Sequence, residues 1–533
     1  MNHVVITGFM ATGKTTVGRL VAHRLNRPFI DMDRVIENRS NKSIARIFQE
    51  DGEASFRALE SELCEELCQQ ENLVIATGGG ALTNANNRAM FGESDTVICL
   101  TSSPEEITRR LEVNNFYNRP LLNVEDKKKE IERLLEKRQP AYATIPYHID
   151  TTKLPISEVV DRVLSLVNVR HLPVQFPSGQ YHVQIGHGLL SQIGGLIQEA
   201  DCPEGSRVAI VTNPVVEPLY ARRIHQALES KGYRSFICLV QDGEKHKTMA
   251  TLSSLFEQFL DFHLDRRDTV LALGGGVTGD LAGFAAAIYL RGIRLIQVPT
   301  TLLSMIDASV GGKTAIDLPR GKNLVGAFKQ PQIVIIDPTV LSTLALPELR
   351  SGMAEVIKHC MIDDSKLFVE LEEHPGEFAI LWQEGLGIDW LQRALQVKIK
   401  IVEEDPFEQG KRAFLNLGHT IGHALEQVSQ YKLRHGEAVS IGLVAETRIA
   451  HKLQLVPASL VSRVENLLAA WNLPIRSPAY STKRMLQAMK YDKKRQGRVI
   501  RWALPHAQDH IVLREDVPIE LVKSVLTWMG AIG

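Results

Sequence analysis

Cysteine is scarce in this sequence. Its six residues, Cys64, Cys68, Cys99, Cys202, Cys238 and Cys360, are scattered through 533 positions and are never spaced as Cys-x-x-Cys. That excludes a disulfide framework and a paired-cysteine zinc or redox site, and it predicts reduced core thiols in a cytoplasmic protein. Net charge is also nearly absent: 61 basic residues offset 62 acidic ones, so no overall field draws the chain to nucleic acid or to a membrane surface. No apolar run reaches the ~18 residues needed to span a bilayer. The opening Met1-Asn-His-Val-Val-Ile-Thr-Gly8 has neither the basic start nor the apolar length of a signal peptide. There is no Gly/Ser-rich linker and no internal repeat. At roughly 100 to 200 residues per domain, the length predicts three or four globular units with sizeable cores.

The first of these units announces its chemistry early. A strand at about residues 3 to 7 leads into Gly8-Phe-Met-Ala-Thr-Gly13-Lys14-Thr15-Thr16, which fits G-x-x-x-x-G-K-[ST] in full. An amphipathic helix follows, carrying Val17, Leu20, Val21 and Leu25. In that context the glycines let the backbone wrap a phosphate and the helix N-terminus faces the anion, while Lys14 neutralises the outer phosphates and Thr15 ligates magnesium. ATP or GTP is therefore expected. Next come Phe29-Ile30-Asp31-Met32-Asp33 at a strand end, Phe56-Arg57 and Glu60 on a helix, and Thr77-Gly78-Gly79-Gly80 after a strand. Asn118-Arg119-Pro120-Leu121 lies in a polar stretch, and Arg138-Gln139-Pro140-Ala-Tyr142 ends a charged helix. Carboxylates beside a phosphate loop suit a magnesium shell or a substrate hydroxyl, with Asp31 the candidate for the metal side.

Together these motifs resemble shikimate kinase over about residues 1 to 168. The resemblance implies that Asp33, Arg57, Gly79 and Arg138 hold shikimate, the two arginines gripping its carboxylate. It places Arg119 in a lid that closes on ATP and stabilises the transferring phosphoryl group. Phosphoryl transfer needs little beyond positioning and electrostatic stabilisation, so cations arriving from a closing loop fit that chemistry.

Near residue 168 the periodicity changes from helical to alternating. Val169 to Phe176 and Gln180 to Gly186 read as two strands joined by Pro177-Ser-Gly179. Arg207-Val-Ala-Ile-Val-Thr and Ser235-Phe-Ile-Cys-Leu-Val read as buried strands of an α/β layer. Asp242-Gly-Glu244-Lys-His-Lys247 follows, and then Thr269-Val-Leu-Ala-Leu-Gly274-Gly-Gly276-Val-Thr-Gly279-Asp280, a strand that runs into a glycine turn and a helix. That turn resembles a dinucleotide phosphate loop without matching G-x-G-x-x-G. Thr300-Thr301, Asp307 and Gly311-Gly312-Lys313-Thr314 come next, the last being no Walker motif.

From about residue 341 the pattern becomes helical, and a metal site comes into view. His419 and His423 stand at i and i+4 and share a helix face, with His435 beyond the following loop. Glu355, in Ala354-Glu355-Val-Ile-Lys358-His359, is the candidate carboxylate for a divalent cation. Lys313, Lys322, Lys358, Lys398 and Arg412 assemble more positive charge around that metal than a neutral substrate requires. An acidic, phosphorylated substrate is implied.

Over about residues 169 to 533 this combination resembles 3-dehydroquinate synthase. The match rests on Gly-Gly-Gly-Val-x-Gly-Asp, Pro-Thr-Thr-Leu-Leu-x-x-x-Asp-x-Ser-Val-Gly-Gly-Lys, Ala-Glu-Val-Ile-Lys-His, Asn-Leu-Gly-His-Thr-x-Gly-His, His-Gly-Glu-Ala-Val and Asp492-Lys493-Lys494. The resemblance implies an NAD+- and metal-dependent conversion of 3-deoxy-D-arabino-heptulosonate 7-phosphate to 3-dehydroquinate with loss of phosphate. On that basis Glu355, His419 and His435 bind zinc or cobalt and His423 turns to the substrate, which revises the helical pairing. Asp242, Glu244, Lys247, Gly276, Gly279, Asp280, Thr300 and Thr301 would hold NAD+, with Lys313 and Lys322 beside it. Asp307, Lys313, Asn323, Lys358, Lys398, Arg412, Asn416, His423 and Lys493 or Lys494 would surround the substrate, and Lys322 and Asn323 would bridge the two sets. Lys14, Asp33, Arg119, Lys313, Lys358, Arg412, Asn416 and His423 are the residues expected to act in catalysis.

The expected architecture is α/β: a P-loop kinase domain over 1–168, an NAD-binding domain over 169–340, and a mainly helical metal and substrate domain over 341–533. A homodimer through the synthase half is a further expectation. Two other readings differ in class. The back half would be a polyol dehydrogenase if it produced net NADH, and the front half a nucleotide-sensing module if it transferred no phosphate.

Overall fold

The computed structural model describes residues 3–91, 95–113, 126–145, 147–167, 169–376, 386–494, 499–507 and 510–532. The chain divides into two compact units: Met1–Val169 with Gly186–Ser191 and Phe378–Asp389, and Arg170–Ile185 with Gln192–Glu377 and Trp390–Gly533.

The first unit is built on five parallel strands, β1 (Val4–Gly8), β2 (Phe29–Asp31), β3 (Val74–Ala76), β4 (Thr96–Thr101) and β5 (Tyr147–Asp150), in the order β2-β3-β1-β4-β5. The run Val-Val-Ile-Thr-Gly of β1 is wholly buried, as a central parallel strand covered on both faces must be. The helix Lys14–Leu25 turns Val17 and Val21 inward against Ile149, Val160 and Val163. Because β1, β2 and β3 are parallel neighbours, Gly8, Asp31 and Ala76 all end on one edge of the sheet. That carboxyl edge is where ligands bind in open α/β sheets.

The second unit continues with β6 (Arg170–Phe176), β7 (Gly179–Ile185), β8 (Arg207–Thr212), β9 (Arg234–Leu239), β10 (Thr269–Gly274), β11 (Arg294–Pro299), β12 (Lys313–Leu318), β13 (Gly321–Phe328) and β14 (Ile333–Ile336). Seven of these form one sheet in the order β6-β7-β14-β11-β10-β8-β9, while β12 and β13 pair as a separate hairpin. Only β6 against β7 is antiparallel in the large sheet. Gly274 pairs in register with Pro299, so the glycine turn after β10 lies beside Thr300 and Thr301 after β11.

Beyond β14 the described residues are mainly helical, with Leu346–Asp363, Leu386–Glu404, His419–Val428 and His435–Lys452 as the principal helices. The first is buried along nearly its whole length and carries Glu355, Lys358 and His359 inside. A helix submerged on every side can hold ionised groups only when partners meet them. This region also contains a hairpin, β15 (Trp502–Ala507) with β16 (His510–Arg514), which periodicity did not suggest. Pro505 within β15 obscures the strand pattern. Among the described residues no helix is long and apolar enough to cross a membrane.

Candidate active sites

At the end of β1 the backbone leaves no room for a side chain. A Cβ on Gly8, whose φ is +134°, would lie 2.1 Å from the carbonyl oxygen of Leu100. Gly13, at φ +100°, precedes the helix Lys14–Leu25 and offers no side-chain cap, so the first N–H groups of the helix face the loop. Lys14 curls over that loop and donates through Nζ to the carbonyl of Phe9 at 2.9 Å. Thr15 Oγ1 donates to Asp31 Oδ2 at 2.7 Å, while Thr16 is exposed on the same turn. Asp31 uses its other oxygen to cap the helix Met32–Ser40 at the amide of Arg34.

The glycine triplet after β3 lies against the charged groups of the same cleft. A Cβ on Gly78 would meet Glu60 Oε1 at 2.4 Å and Asp33 Oδ1 at 2.8 Å, and one on Gly80 would meet Arg57 Nη1 at 2.2 Å. Arg138 Nη1 and Tyr142 Oη, one turn apart, both donate to the Gly79 carbonyl, at 2.9 and 2.6 Å. Arg57 is held by Glu53 at 3.0 Å and by the buried Glu60. Burial raises the Glu60 carboxyl against the opposing charge of Arg57. Two guanidinium groups thus flank one glycine turn, within the cleft that Lys14, Thr15 and Asp33 also line. Arg119 lies outside the described residues.

In the second unit, β10 feeds a glycine turn and then the helix Gly276–Ile288. A Cβ on Gly274 would strike Thr278 at 2.7 Å, one on Gly276 would come within 3.2 Å of Ala308, and one on Gly279 within 3.0 Å of Gln297 Oε1. Thr300 donates its amide to the Gly274 carbonyl at 2.9 Å, and Thr301 shares a hydroxyl contact of 2.8 Å with Ser304. The buried Lys247 donates to Asp280 Oδ2 and Asn323 Oδ1, each at 2.5 Å. Burial raises the Asp280 carboxyl while Lys247 opposes the shift. Asp242 accepts from Asn213 at 3.0 Å, and Glu244 meets Lys322 at 3.3 Å. A strand, a side-chain-free turn and a helix N-terminus in succession form a cradle for a diphosphate.

The metal-ligand candidates converge from three helices. One ligand atom from each of Glu355, His419 and His435 lies within 4.8 Å of the others, and His423 is outside that group. His419 Nε2 stands 3.5 Å and His435 Nε2 3.3 Å from Glu355 Oε1. The remaining ring nitrogens are occupied, His419 Nδ1 by the Leu417 carbonyl at 3.1 Å and His435 Nδ1 by Glu426 at 3.5 Å. This is how imidazoles are aimed at a cation. His423 is exposed, with its ring centroid 5.2 Å from that of His419. Although burial opposes the shift, Glu355 and Glu426 push the His435 imidazole up to about 10, so loading a cation there displaces a proton. Burial and the Lys358 charge hold His419 near 3.

Asp307, Glu355 and His359 form a second cluster with donor atoms equally close. It suits a cation less well. Asp307 is already bound to Lys398 at 2.5 Å, and burial notwithstanding, Lys398 and Lys358 keep its carboxyl well below the ordinary range. A divalent ion there would face two lysines at close quarters.

The remaining candidates gather around this centre. Lys358 pairs with Glu355, Lys398 with Asp307, and Lys313 with Glu408 at 2.5 Å. Asn416 Nδ2 reaches Glu408 at 3.5 Å. Arg412 donates instead to the carbonyls of Gly311 and Pro406, at 3.0 and 2.5 Å. Its guanidinium is thus met directly by neutral oxygens, while the carboxylates of Glu408, Asp307 and Asp405 act on it through space against the cost of burial. The Lys493 and Lys494 side chains lie outside the described residues.

Residues 10–168 match the shikimate kinase family, residues 237–351 the 3-dehydroquinate synthase N-terminal family, and residues 352–495 the 3-dehydroquinate synthase C-terminal family. Over 358 residues the chain is 42% identical to the 3-dehydroquinate synthase of Synechococcus sp., a match covering 67% of this chain and 97% of that protein. The chain belongs to the 3-dehydroquinate synthase family. Ahead of the synthase it carries a shikimate kinase domain, which makes it a bifunctional enzyme of the shikimate pathway. Among solved structures it is similar to the 2-epi-5-epi-valiolone synthase of Streptomyces hygroscopicus subsp. jinggangensis, which has NAD+ and Zn2+ bound. That match has 28% identity and a TM-score of 0.60, covering 66% of this chain and 96% of that one. It is also similar to a 2-deoxy-scyllo-inosose synthase complexed with carbaglucose-6-phosphate, NAD+ and Co2+, at 26% identity and a TM-score of 0.62, over 68% and 100% of the two chains.

Three groups at the synthase site escaped the sequence reading. Glu426 lies seven residues after His419, two helical turns away on the same face, and periodicity could have found it. Glu408 sits in a turn at φ +58°, and Glu446 accepts the Gly418 amide at 2.5 Å from another helix. Neither has a local signature, because both act through contacts made by folding.

Proposed function

We propose that the first unit phosphorylates shikimate with magnesium ATP and that the second converts 3-deoxy-D-arabino-heptulosonate 7-phosphate to 3-dehydroquinate with NAD+ and a divalent cation, zinc or cobalt. The domain limits that go with this reading are 1–168, 169–340 and 341–533. The six free, buried cysteines support a reducing, cytoplasmic setting.

In the kinase, the loop amides and Lys14 hold the outer phosphates, and Thr15 with Asp31 provides the magnesium position. Arg57 and Arg138 receive the substrate carboxylate from the two sides of the glycine turn. Asp33 takes the proton of the attacking hydroxyl.

In the synthase, Glu355, His419 and His435 hold the cation, and the turn after β10 holds the dinucleotide with Glu244, Lys247, Asp280, Thr300 and Thr301. Once bound, the cation supplies a Lewis acid for the hydroxyl being oxidised, and NAD+ a transient hydride acceptor that is restored in each turnover. Arg412, Asn416, Lys398 and Lys313 fix the acidic substrate, for which Glu408 must give up Lys313. Lys358 steadies the charge of Glu355 and the substrate together. His423, exposed beside the cation ligands, moves a proton at the substrate.

The observation that carries this reading is the convergence of Glu355, His419 and His435 within 4.8 Å of one another. One purified chain should phosphorylate shikimate in the presence of ATP. After dialysis against a chelator it should stop releasing phosphate from the heptulosonate and resume when zinc or cobalt is restored. NADH absorbance should stay flat throughout; its net accumulation would identify a dehydrogenase instead.

A further inference from the structure

A buried carboxylate that the proposed chemistry does not use lies between the metal ligands and the nucleotide side. Glu426 sits near the end of the helix His419–Val428 and is 5% exposed. Its Oε1 is 3.5 Å from His435 Nδ1 and, on the other side, 3.5 Å from Lys322 Nζ. His435 Nε2 continues the line to Glu355 Oε1 at 3.3 Å, and Lys322 Nζ continues it to Glu244 Oε1 at 3.3 Å. Five charged or titratable side chains therefore run in series, from a metal ligand to a residue assigned to NAD+.

The surroundings hold this line in place. Lys322 lies on β13 and projects over the ring of Tyr431, 4.4 Å from its centroid. Tyr431 donates its amide to the Glu426 carbonyl at 2.8 Å, so the turn that positions Glu426 also positions the ring. Burying a carboxylate is costly unless charges meet it, and here one oxygen serves two cationic partners. A solvated surface pair would not need that arrangement.

We infer that Glu426 is a positioning residue that serves both ligands of the synthase, orienting His435 toward the cation and holding Lys322 toward the nucleotide. The inference rests on the assignment of metal and NAD+ to this site. An orienting carboxylate behind a metal-bound histidine typically contributes 10- to 100-fold in metal affinity. Loss of one of the two carboxylates that hold Lys322 should cost NAD+ roughly two- to tenfold, the size of a single hydrogen bond.

The test uses the full chain. Cobalt affinity is measured by competition with a chelator, the cobalt d–d absorption spectrum is recorded, and NAD+ binding is followed by titration calorimetry. Glu426→Gln should weaken cobalt about 10- to 100-fold, change the spectrum and weaken NAD+ roughly two- to tenfold, with shikimate phosphorylation unchanged. Lys322→Met should weaken NAD+, and adding Glu426→Gln to it should lower NAD+ affinity no further, because Glu426 reaches the nucleotide only through Lys322. Glu426→Asp withdraws the oxygen by one methylene; it should shift both affinities the same way by less, and it stands in if the glutamine variant does not fold. Wild-type affinity for both ligands in these Glu426 variants, or a loss confined to cobalt, overturns the inference. A wild-type chain that binds neither cobalt nor NAD+ would instead overturn the functional assignment itself, and the shared role with it.

Discussion

Thr15 donates its hydroxyl to Oδ2 of Asp31 across 2.7 Å, tying the phosphate loop to the end of β2. With its proton directed at Asp31, the Thr15 oxygen keeps its lone pairs for the magnesium ion proposed to bind there. Asp31→Asn retains an acceptor but loses the charge that favours a cation. Shikimate phosphorylation should fall roughly 10- to 100-fold at limiting magnesium and recover in part as magnesium is raised, while phosphate release by the synthase is unchanged. Steady-state assays at several magnesium concentrations read this directly. A loss that does not depend on magnesium would count against the pairing.

The glycine triplet invites a steric test. A Cβ at position 80 would lie 2.2 Å from Arg57 Nη1 and 2.5 Å from its Cζ, so Gly80→Ala must displace the guanidinium. A displacement of about 1 Å in a positioning group costs about 10²-fold, and here it should appear chiefly as a raised KM for shikimate with that for ATP little changed. Equal effects on both substrates would mean that the turn has collapsed on the phosphate side.

The sequence motifs that carry both sites are continuous in the chain, and that is why so much of each was legible. Gly8 to Thr15 and Gly274 to Asp280 each follow a buried apolar strand, and a strand, turn and helix in that order can be read from periodicity alone. What stayed hidden depends on tertiary contact. Glu426 and Lys322 are more than a hundred residues apart, and Glu408 faces Lys313 only because a turn folds back on β12. Equally, helical spacing favoured His419 with His423. The folded chain brings His435 to Glu355 instead, from the start of the next helix.

Buried histidine gives a pH dependence whose sign can be worked out. His359 is fully buried, and burial with the Lys358 charge pushes it down to about 3 from the ordinary 6.5. The unfolded chain therefore binds a proton there below about pH 6.5 that the folded chain refuses until about 3, so this group destabilises progressively as pH falls through that window. His359→Leu removes the effect. Its stability relative to the wild type should improve as pH drops from 7 to 5, by up to about 1.4 kcal/mol per pH unit below 6.5. Urea midpoints at pH 7, 6 and 5 give the comparison, and His419, present in both proteins, cancels. A constant offset would mean that His359 titrates normally.

The metal assignment separates from the helical alternative by substitution. If Glu355, His419 and His435 are the ligands, replacing any one of them with Ala should strip the cation and abolish phosphate release, because two side chains and water hold a divalent ion poorly. His423→Ala should keep near-stoichiometric metal and yet turn over roughly 10²- to 10⁴-fold more slowly, the usual contribution of a group that moves a proton. The structure gives a reason to expect this split: His435 reaches Glu355 at 3.3 Å, whereas His423 is exposed and falls outside the converging group. Elemental analysis of the four variants, with shikimate phosphorylation as the control for intact folding, reads the result. Should His423→Ala lose its metal while His435→Ala retains it, the i, i+4 pair holds the cation and His435 serves the substrate.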